Sequence, residues 1–347
     1  MRLFGKEEEY EDEDILEEEE KKLKIRDLKP ENKRKRKEPP KPWGRKERSL
    51  ILGVLLFTVL IASFLALSAR DWKLPHLPQL SFSLPKLSSE TIIIEGGKAD
   101  RESAEVAKNN FKGLTSSLSG VYALDVVRLD NNFEYGVNER QVMQAASLIK
   151  LPVLATLYQE AEKGTIDLDS KYTLKNSDKV GGAGSLINKP AGTQITYREL
   201  ARLMGKESDN TAFNIVRNLF GDDKINKVIA EIGMEKTSLK ENETTPKDIA
   251  LFFKKLWQGE ITNNSDKEEI LSYLTDTIYE NWIVAGIPDV RVAHKYGREV
   301  HVINDAGIVM TDKPFVLVLM TQGIIESEGD KVIPQLAKVI YNIEKVR

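Results

Sequence analysis

Ser147 and Lys150 are three residues apart in the stretch AASLIKLPVLATLYQEAEKG, which covers residues 145–164. The stretch is predicted to be a helix that Gly164 ends, and this spacing places both side chains on one helical face. A lysine whose pKa is lowered can take the proton of a serine, which then attacks a carbonyl carbon. A plainer interpretation also fits, because Ser147 could cap the helix while Lys150 extends to water. The pair alone leaves both interpretations open.

Other kinds of catalysis have little support in the composition. The three histidines are His76, in a proline-containing segment, and His294 and His301, which alternate with apolar residues in predicted strands. A structural role is therefore favoured for the last two over a Ser-His-Asp triad. The chain has no cysteine, which excludes thiol catalysis and thiolate metal sites. No HExxH motif or ligand-spaced cluster occurs, so neither a metal nor another cofactor is expected.

Three further short motifs, rich in glycine or polar residues, could contribute to a catalytic site. The GGAG at 181–184 lacks the Lys-Ser/Thr of a phosphate loop and is interpreted as a flexible turn. The SDN at Ser208–Asn210 lies between two predicted helices, where it could be only a helix cap. The KYG at Lys295–Gly297 could be only the end of a strand. In the order Ser-x-x-Lys, Ser-Asp-Asn, Lys-x-Gly, however, the motifs match the signature of penicillin-recognising serine enzymes.

Residues 100–347 resemble class A β-lactamases and related serine hydrolases, which are relatives of the penicillin-binding DD-peptidases. The stretches that carry the resemblance are AASLIKLPVLATLYQEAEKGTIDLDSKYTL, PAGTQITYRELARLMGKESDNTAFNIV, TTPKDIALFFKKL and VAHKYGREVHVINDAGIV. The resemblance implies that Ser147 is the acylated nucleophile, Lys150 its proton acceptor and Ser208 a proton relay to the leaving nitrogen. It further implies roles in substrate binding. Asn210 would bond the substrate amide, Lys295 would attract a carboxylate, and the oxyanion hole would be the N–H groups of Ser147 and of Arg298, which follows Gly297.

Two departures from the family pattern bear on function. The middle residue of the third motif is Tyr296 instead of a small hydroxyl residue, so carboxylate recognition is in question and Arg298 is the candidate to compensate. The loop that carries the deacylating glutamate of class A enzymes is almost missing before TTP. Glu241 and Glu243 lie nearby outside the family's motif, and neither is assigned that role.

The elements that must position these residues are predicted to form an α+β fold. A helix near 100–118 precedes a hairpin of GVYALDVVRL and FEYGVN, joined at DNN. A helical middle follows, with YRELARLMG, TAFNIVRNLF, DKINKVIAEIG and KDIALFFKKLWQG, and then three strands and a closing helix near 329–345. Strands at both ends predict one antiparallel sheet whose first and last parts pair, flanked by helices, with an all-helical lobe inserted. Ligands favour the groove between two such lobes.

The N-terminal part predicts a membrane anchor. Residues 1–48 hold an acidic block and a basic block, which favours a disordered cytoplasmic tail. Residues 49–69 include an uncharged run of twenty, long enough to span a bilayer as a helix. Nine Lys or Arg at 33–48 against three at 70–86 place the C-terminal part outside the cell. A cleaved signal peptide is the rival, but the 48-residue charged region fits a retained anchor better. A proline-containing linker is predicted at 70–99.

The expectation is therefore a single-pass membrane protein with its N-terminus in the cytoplasm and its hydrolase domain, 100–347, outside. Its substrate would be a β-lactam or a peptidoglycan-type peptide amide, processed through an acyl-serine intermediate. The alternative is a catalytically impaired module that binds or senses penicillins or cell-wall fragments as part of an antibiotic response. The basic block is explained by the membrane orientation, so no nucleic-acid partner is expected.

Overall fold

The computed structural model describes Gly44, Ser49, residues 52–60, Ala62 and residues 97–347. Residues 52–60 are helical and expose large apolar side chains, with Leu52 at 63% and Phe57 at 65%. Among the described residues, no helix is both long and apolar enough to cross a membrane. The remainder of the predicted tail, span and linker lies outside the described residues, as does His76.

Residues 97–347 are built on a five-stranded antiparallel sheet, in the order β2 (Glu134–Val137), β1 (Val121–Arg128), β9 (Phe315–Gln322), β8 (Val302–Val309) and β7 (Val292–Glu299). The first strand pairs with the last over its whole length, from Val121 opposite Gln322 to Arg128 opposite Phe315, which confirms the predicted pairing. The strands, in chain order, are β1 (Val121–Arg128), β2 (Glu134–Val137), β3 (Met143–Gln144), β4 (Lys171–Thr173), β5 (Gln194–Thr196), β6 (Glu243–Thr244), β7 (Val292–Glu299), β8 (Val302–Val309) and β9 (Phe315–Gln322). Two-stranded pairs β3–β6 and β4–β5 lie outside the main sheet.

Helices cover both faces of the sheet and form a separate lobe. The helices are α1 (Lys98–Thr115), α2 (Lys150–Glu162), α3 (Tyr197–Lys206), α4 (Asn210–Ile232), α5 (Pro246–Gln258), α6 (Asn264–Tyr273), α7 (Ile283–Gly286) and α8 (Glu326–Lys345). One apolar cluster joins α1, α7 and α8 to one face of the sheet. The other joins α5 to the opposite face and continues between α2, α3, α4 and α6. The predicted α+β fold with a helical lobe is therefore confirmed.

The local sequence explains where most helices begin and end. The side chains of Thr196, Asp209, Thr245 and Asn263 each accept a backbone N–H in the first turn of the helix that follows. Gly259 adopts the left-handed conformation that ends α5. Gly221 has non-helical backbone angles (φ 74°, ψ 157°), so α4 consists of two helical segments that meet at a kink, in agreement with the two helices predicted for TAFNIVRNLF and DKINKVIAEIG.

The helical lobe meets the sheet at the short β3–β6 pair. Met143 lies opposite Thr244, which places the residues just before Ser147 beside the TTP stretch. The free edge of β7 runs along the same segment, because β7 is the last strand of the sheet. Residues from both lobes therefore converge on Ser147.

Candidate active site

Ser147 lies in one 3-10 turn, Ala146–Ile149, which directly precedes α2. The sequence predicted an α-helix through Ser147, whereas the α-helix begins only at Lys150. Ala146 has a φ of 48°, a left-handed conformation that costs a non-glycine residue about 1–3 kcal/mol. The Asn304 side-chain amide donates to the Gln144 carbonyl at 2.8 Å and so fixes the chain that enters the turn. The turn presents the half-buried Ser147 toward the free edge of β7.

Lys150 brings three candidate residues together. Its Nζ lies 3.0 Å from Ser147 Oγ, 3.2 Å from Ser208 Oγ and 2.6 Å from Asn210 Oδ1. The side chain is only 3% exposed, and burial lowers the pKa of the Lys150 amine to about 8, although Asp209 and Glu299 oppose the shift. A pKa one unit above neutrality leaves about a tenth of the amine uncharged at pH 7. The uncharged amine has the lone pair needed to accept the Ser147 proton.

The SDN motif is both a helix cap and part of the site. Asp209 caps α4 by accepting the Ala212 N–H at 2.8 Å, and its other carboxylate oxygen accepts the Leu186 N–H at 2.8 Å. Ser208 precedes the cap with a φ of 55°, and this left-handed backbone is buried. The motif is therefore a helix cap, and the cap also places Ser208 and Asn210 against the Lys150 amine, as the predicted catalytic role requires.

The GGAG loop is fixed against the same motif. The Asn210 N–H donates to the Ala183 carbonyl at 3.0 Å, and its side-chain amide donates to the Gly181 carbonyl at 2.8 Å. A side chain on Gly184 would place its Cβ 2.1 Å from an oxygen of Asp209, which explains the glycine. The loop is a bend that these bonds hold at the rim beside Asn210, whereas the sequence predicted a flexible turn.

The edge strand β7 completes the surroundings of Ser147. The His294 N–H donates at 2.6 Å to the Leu274 carbonyl, outside the sheet, and backbone groups alternate along a strand. The N–H of Arg298 therefore points to the same free edge, toward the Ser147 turn. A Cβ on Gly297 would lie 2.7 Å from the Ser147 nitrogen, so only glycine allows this approach. Both N–H groups therefore lie where the Ser147 turn meets the edge of β7, which is compatible with the predicted oxyanion hole.

Lys295 lies in the site but is withdrawn from solvent. It is 1% exposed, its Nζ donates to the Tyr296 carbonyl at 2.9 Å, and it lies 4.2 Å from the centre of the Tyr296 ring. Burial and, after it, the neighbouring Lys150 charge hold the pKa of Lys295 well below its ordinary value. A substrate carboxylate would have to compete with these protein contacts for the Lys295 amine.

Tyr296 and Arg298 are engaged with protein groups. The Tyr296 ring is 9% exposed and packs against Tyr279 with ring centres 5.3 Å apart. The Arg298 guanidinium is bound by two carboxylates of α8, Glu326 at 2.6 Å and Asp330 at 3.1 Å. The sequence offered Arg298 as a replacement ligand for a carboxylate, but these ion pairs already neutralise its side chain.

A carboxylate bound beside the Ser147 turn, Glu299, is one that the sequence did not single out. Glu241 is exposed and lies 3.5 Å from Lys240, and Glu243 is exposed on β6. Glu299, at the end of β7, instead accepts the Asn242 side-chain amide at 3.1 Å and the side-chain amide of Gln144. Its position two residues beyond Gly297 was the signal available in the sequence.

The histidines do not take part in this constellation. His294 is fully buried, and although burial opposes its charge, Asp305 at 2.7 Å raises the pKa of His294 to about 9. His301 Nδ1 lies 3.0 Å from the Ile324 carbonyl. Across the described residues, no cluster of three or more Asp, Glu or His side chains is suited to hold a metal ion.

Comparisons with known proteins show which sequences and folds this chain is similar to. A model described as the beta-lactamase enzyme family matches residues 105–343. The chain is 26% identical over 184 residues to beta-lactamase CARB-3 of Pseudomonas aeruginosa, covering 49% of this chain and 64% of that protein. It is 25% identical over 253 residues to beta-lactamase 3 of Bacillus cereus, covering 65% of this chain and 77% of that protein. The chain thus spans less than two thirds of the length of CARB-3.

Solved structures give a fuller match. The structure of PBP-A is 26% identical with a TM-score of 0.65, covering 72% of this chain and 96% of that one. A PBP-A variant in an acyl-enzyme complex with penicillin G is 25% identical with a TM-score of 0.63, covering 72% and 97%. A beta-lactamase from Sphaerobacter thermophilus, 24% identical with a TM-score of 0.65 and covering 71% and 97%, supports the fold alone.

Proposed function

The chain belongs to the beta-lactamase enzyme family, and we propose that it is a membrane-anchored, outward-facing serine hydrolase. It forms an acyl-serine intermediate with β-lactams or with peptidoglycan-type peptide amides. One observation carries the proposal: the Lys150 amine lies within 3.2 Å of the Ser147 hydroxyl, the Ser208 hydroxyl and the Asn210 amide oxygen. A module that only senses ligands needs no lysine-activated serine, so the enzyme has the better support.

Acylation follows from the positions of these groups. The uncharged Lys150 amine takes the Ser147 proton, and Oγ attacks the carbonyl carbon of the substrate amide. The N–H groups of Ser147 and Arg298 stabilise the oxyanion that forms. Ser208, 3.2 Å from the Lys150 amine, passes the proton to the leaving nitrogen, and the amide bond breaks. The product is an ester on Ser147. A peptide amide releases its amine at this step, whereas the amine of an opened β-lactam ring remains attached to the acyl group.

Deacylation is the slow half of the reaction in this proposal. A water must attack the ester carbonyl with the help of a base, and such help contributes typically about 10²–10⁴-fold. Glu241 and Glu243 are both exposed, and Glu241 lies beside Lys240. We therefore expect β-lactams to leave a persistent ester on Ser147, with weak turnover.

The membrane anchor rests on residues before the hydrolase domain. The uncharged run at 50–69 follows nine Lys or Arg, and its described residues 52–60 are helical with apolar side chains exposed. An exposed apolar helix of this kind is suited to lipid, and the charge asymmetry favours a cytoplasmic N-terminus. The cell membrane is the localisation that follows.

Mass spectrometry of the intact protein after exposure to a panel of β-lactams tests the proposal. The wild-type protein should gain the mass of one β-lactam, and Ser147→Ala should gain none while unfolding at the same temperature. Ser170→Ala is the matched control, because the Ser170 hydroxyl bonds only the Asp167 carbonyl in a surface turn. Labelling of Ser147→Ala at the wild-type level would refute the assignment. Absence of any adduct on the wild-type protein would favour the sensing module instead.

A further inference from the structure

Three residues of β7 share the strand face that meets Ser147. Alternate residues of a strand share a face, so Lys295, Gly297 and Glu299 lie in one row. Gly297 marks the point of closest approach, because a Cβ there would lie 2.7 Å from the Ser147 nitrogen. A rise of about 3.4 Å per residue places Lys295 and Glu299 about 7 Å away on opposite sides. Ser147 is therefore flanked by a lysine on one side and a carboxylate on the other.

Glu299 is held in place by groups that also hold the Ser147 turn. One carboxylate oxygen accepts the Asn242 side-chain amide at 3.1 Å, and the other accepts the side-chain amide of Gln144. The Asn242 carbonyl in turn accepts the Ala145 N–H at 2.8 Å, two residues before Ser147. The position of the carboxylate is therefore coupled to that of the nucleophile.

The Glu299 charge has no counter-ion within the described part of the chain. No Lys, Arg or His there lies within ion-pair distance of it, whereas Glu326 and Asp330 close by are both paired with Arg298. A carboxylate offers about four acceptor sites, and the two amides occupy two of them. Its field reaches the catalytic amine, because Glu299 is one of two carboxylates that oppose the lowering of the Lys150 pKa. An unpaired, oriented carboxylate at the site attracts cations.

The order of groups along β7 assigns Glu299 to one side of the substrate. In the proposed mechanism Ser208 protonates the leaving nitrogen and the Arg298 N–H binds the oxyanion. Lys295 is the residue expected to attract the substrate carboxylate, which penicillins carry on the leaving-group side. Glu299 comes after Arg298 along the strand, beyond the oxyanion hole. This end of the groove receives the acyl part of the substrate, which stays on Ser147 after the amide bond breaks.

We propose that Glu299, held by Gln144 and Asn242, selects substrates that carry a protonated amine on the acyl side of the scissile amide. This inference rests on the proposed function and narrows its substrate class. Glu299 is a specificity determinant and takes no part in bond breaking. The attraction is an exposed ion pair across the rim, so its contribution is modest and decreases with salt.

Penicillin G and ampicillin are a matched pair for the test, because ampicillin differs only by an amino group on its acyl side chain. Stopped-flow acylation at pH 6.5 should be about 2–5-fold faster for ampicillin with the wild-type protein. In Glu299→Gln the ratio of the two rates should fall to one. Glu241→Gln is the control, because it removes a nearby exposed carboxylate of the same charge and should keep the wild-type ratio.

The other outcomes are decisive as well. Equal rates for both penicillins in the wild-type protein overturn the inference. A ratio unchanged in Glu299→Gln, with slower ester hydrolysis for both compounds, also overturns it and assigns Glu299 to water activation. If neither penicillin acylates the protein, the proposed β-lactam chemistry fails. The role of Glu299 in selecting the amine is then tested by measuring the binding of the same two penicillins to Ser147→Ala by NMR titration. Tighter binding of ampicillin that Glu299→Gln removes supports the inference, and equal or no binding overturns it.

Discussion

Replacing Gly297 with alanine tests the contact on which the proposed oxyanion hole depends. The new Cβ would lie 2.7 Å from the Ser147 nitrogen and 3.0 Å from the Ala146 Cβ, whereas ordinary contacts begin near 3.4 Å. The strand and the turn must therefore move apart by about 0.7 Å at the point where both N–H donors converge. Misplacement of about 1 Å costs reactions of this kind about 10²-fold. We expect Gly297→Ala to lower the rate of acylation by a fluorescent penicillin by about 10²-fold.

The assay is the second-order rate of labelling, measured beside the thermal unfolding of each variant. Gly113→Ala is the matched control, because a Cβ on this residue of α1 meets no atom within 4 Å. Alanine stabilises a helix relative to glycine by about 0.5–1 kcal/mol, so the control should unfold at the same or a higher temperature and label normally. The reasoning is refuted if Gly297→Ala labels at the wild-type rate.

The remaining predictions concern protonation, stability and topology. Only the uncharged amine of Lys150 accepts a proton, and its pKa is lowered to about 8, so the acylation rate should rise about tenfold per pH unit below pH 8 and level off above it. Lys150→Arg, which is charged at every pH, should abolish acylation. An acylation rate that does not change with pH would contradict the role of Lys150 as the base. Burial first, and repulsion by Glu134 second, raise the pKa of Asp125 well above its ordinary value, so the contribution of Asp125 to the free energy of unfolding should fall as pH rises above about 4. The stability gained by Asp125→Asn should therefore grow between pH 4 and pH 7 in urea unfolding, and a gain independent of pH would count against this. Protease added to intact cells should degrade residues 100–347 and spare the N-terminal tail, whereas protection of the C-terminal domain would reverse the proposed orientation.

The fold was predictable where the sequence carries local signals. Thr245 and Gly259 bound α5 by the cap and the left-handed turn that their residue types favour. The helix α6 was not predicted, because NSDKEEILSY buries only Ile270 and Leu271 and shows no apolar periodicity. Tertiary contacts, which a local pattern does not contain, decide such a segment.

The site was predictable as three motifs but not as a geometry. Spacing alone brought Ser147 near Lys150, whereas the 3.2 Å contact between Lys150 and Ser208 depends on how α2 packs against the start of α4 within the helical lobe. The ion pairs of Arg298 were not predictable for the same reason, because its partners Glu326 and Asp330 come from the closing helix, far away in the sequence. Glu299 was overlooked because its importance comes from the row of side chains on β7, which no motif describes.

The pairing of β1 with β9 also determines how the domain can be made. The strand β9 fills the gap between β1 and β8, so the centre of the sheet joins segments roughly 190 residues apart in the chain. Contacts of such separation slow folding, because the long loop must close before the strands can pair. During synthesis β1 leaves the ribosome long before its partner and keeps an unpaired edge that invites aggregation. A product that stops before residue 315 has no strand to fill this gap, and the Ser147 site cannot assemble in it.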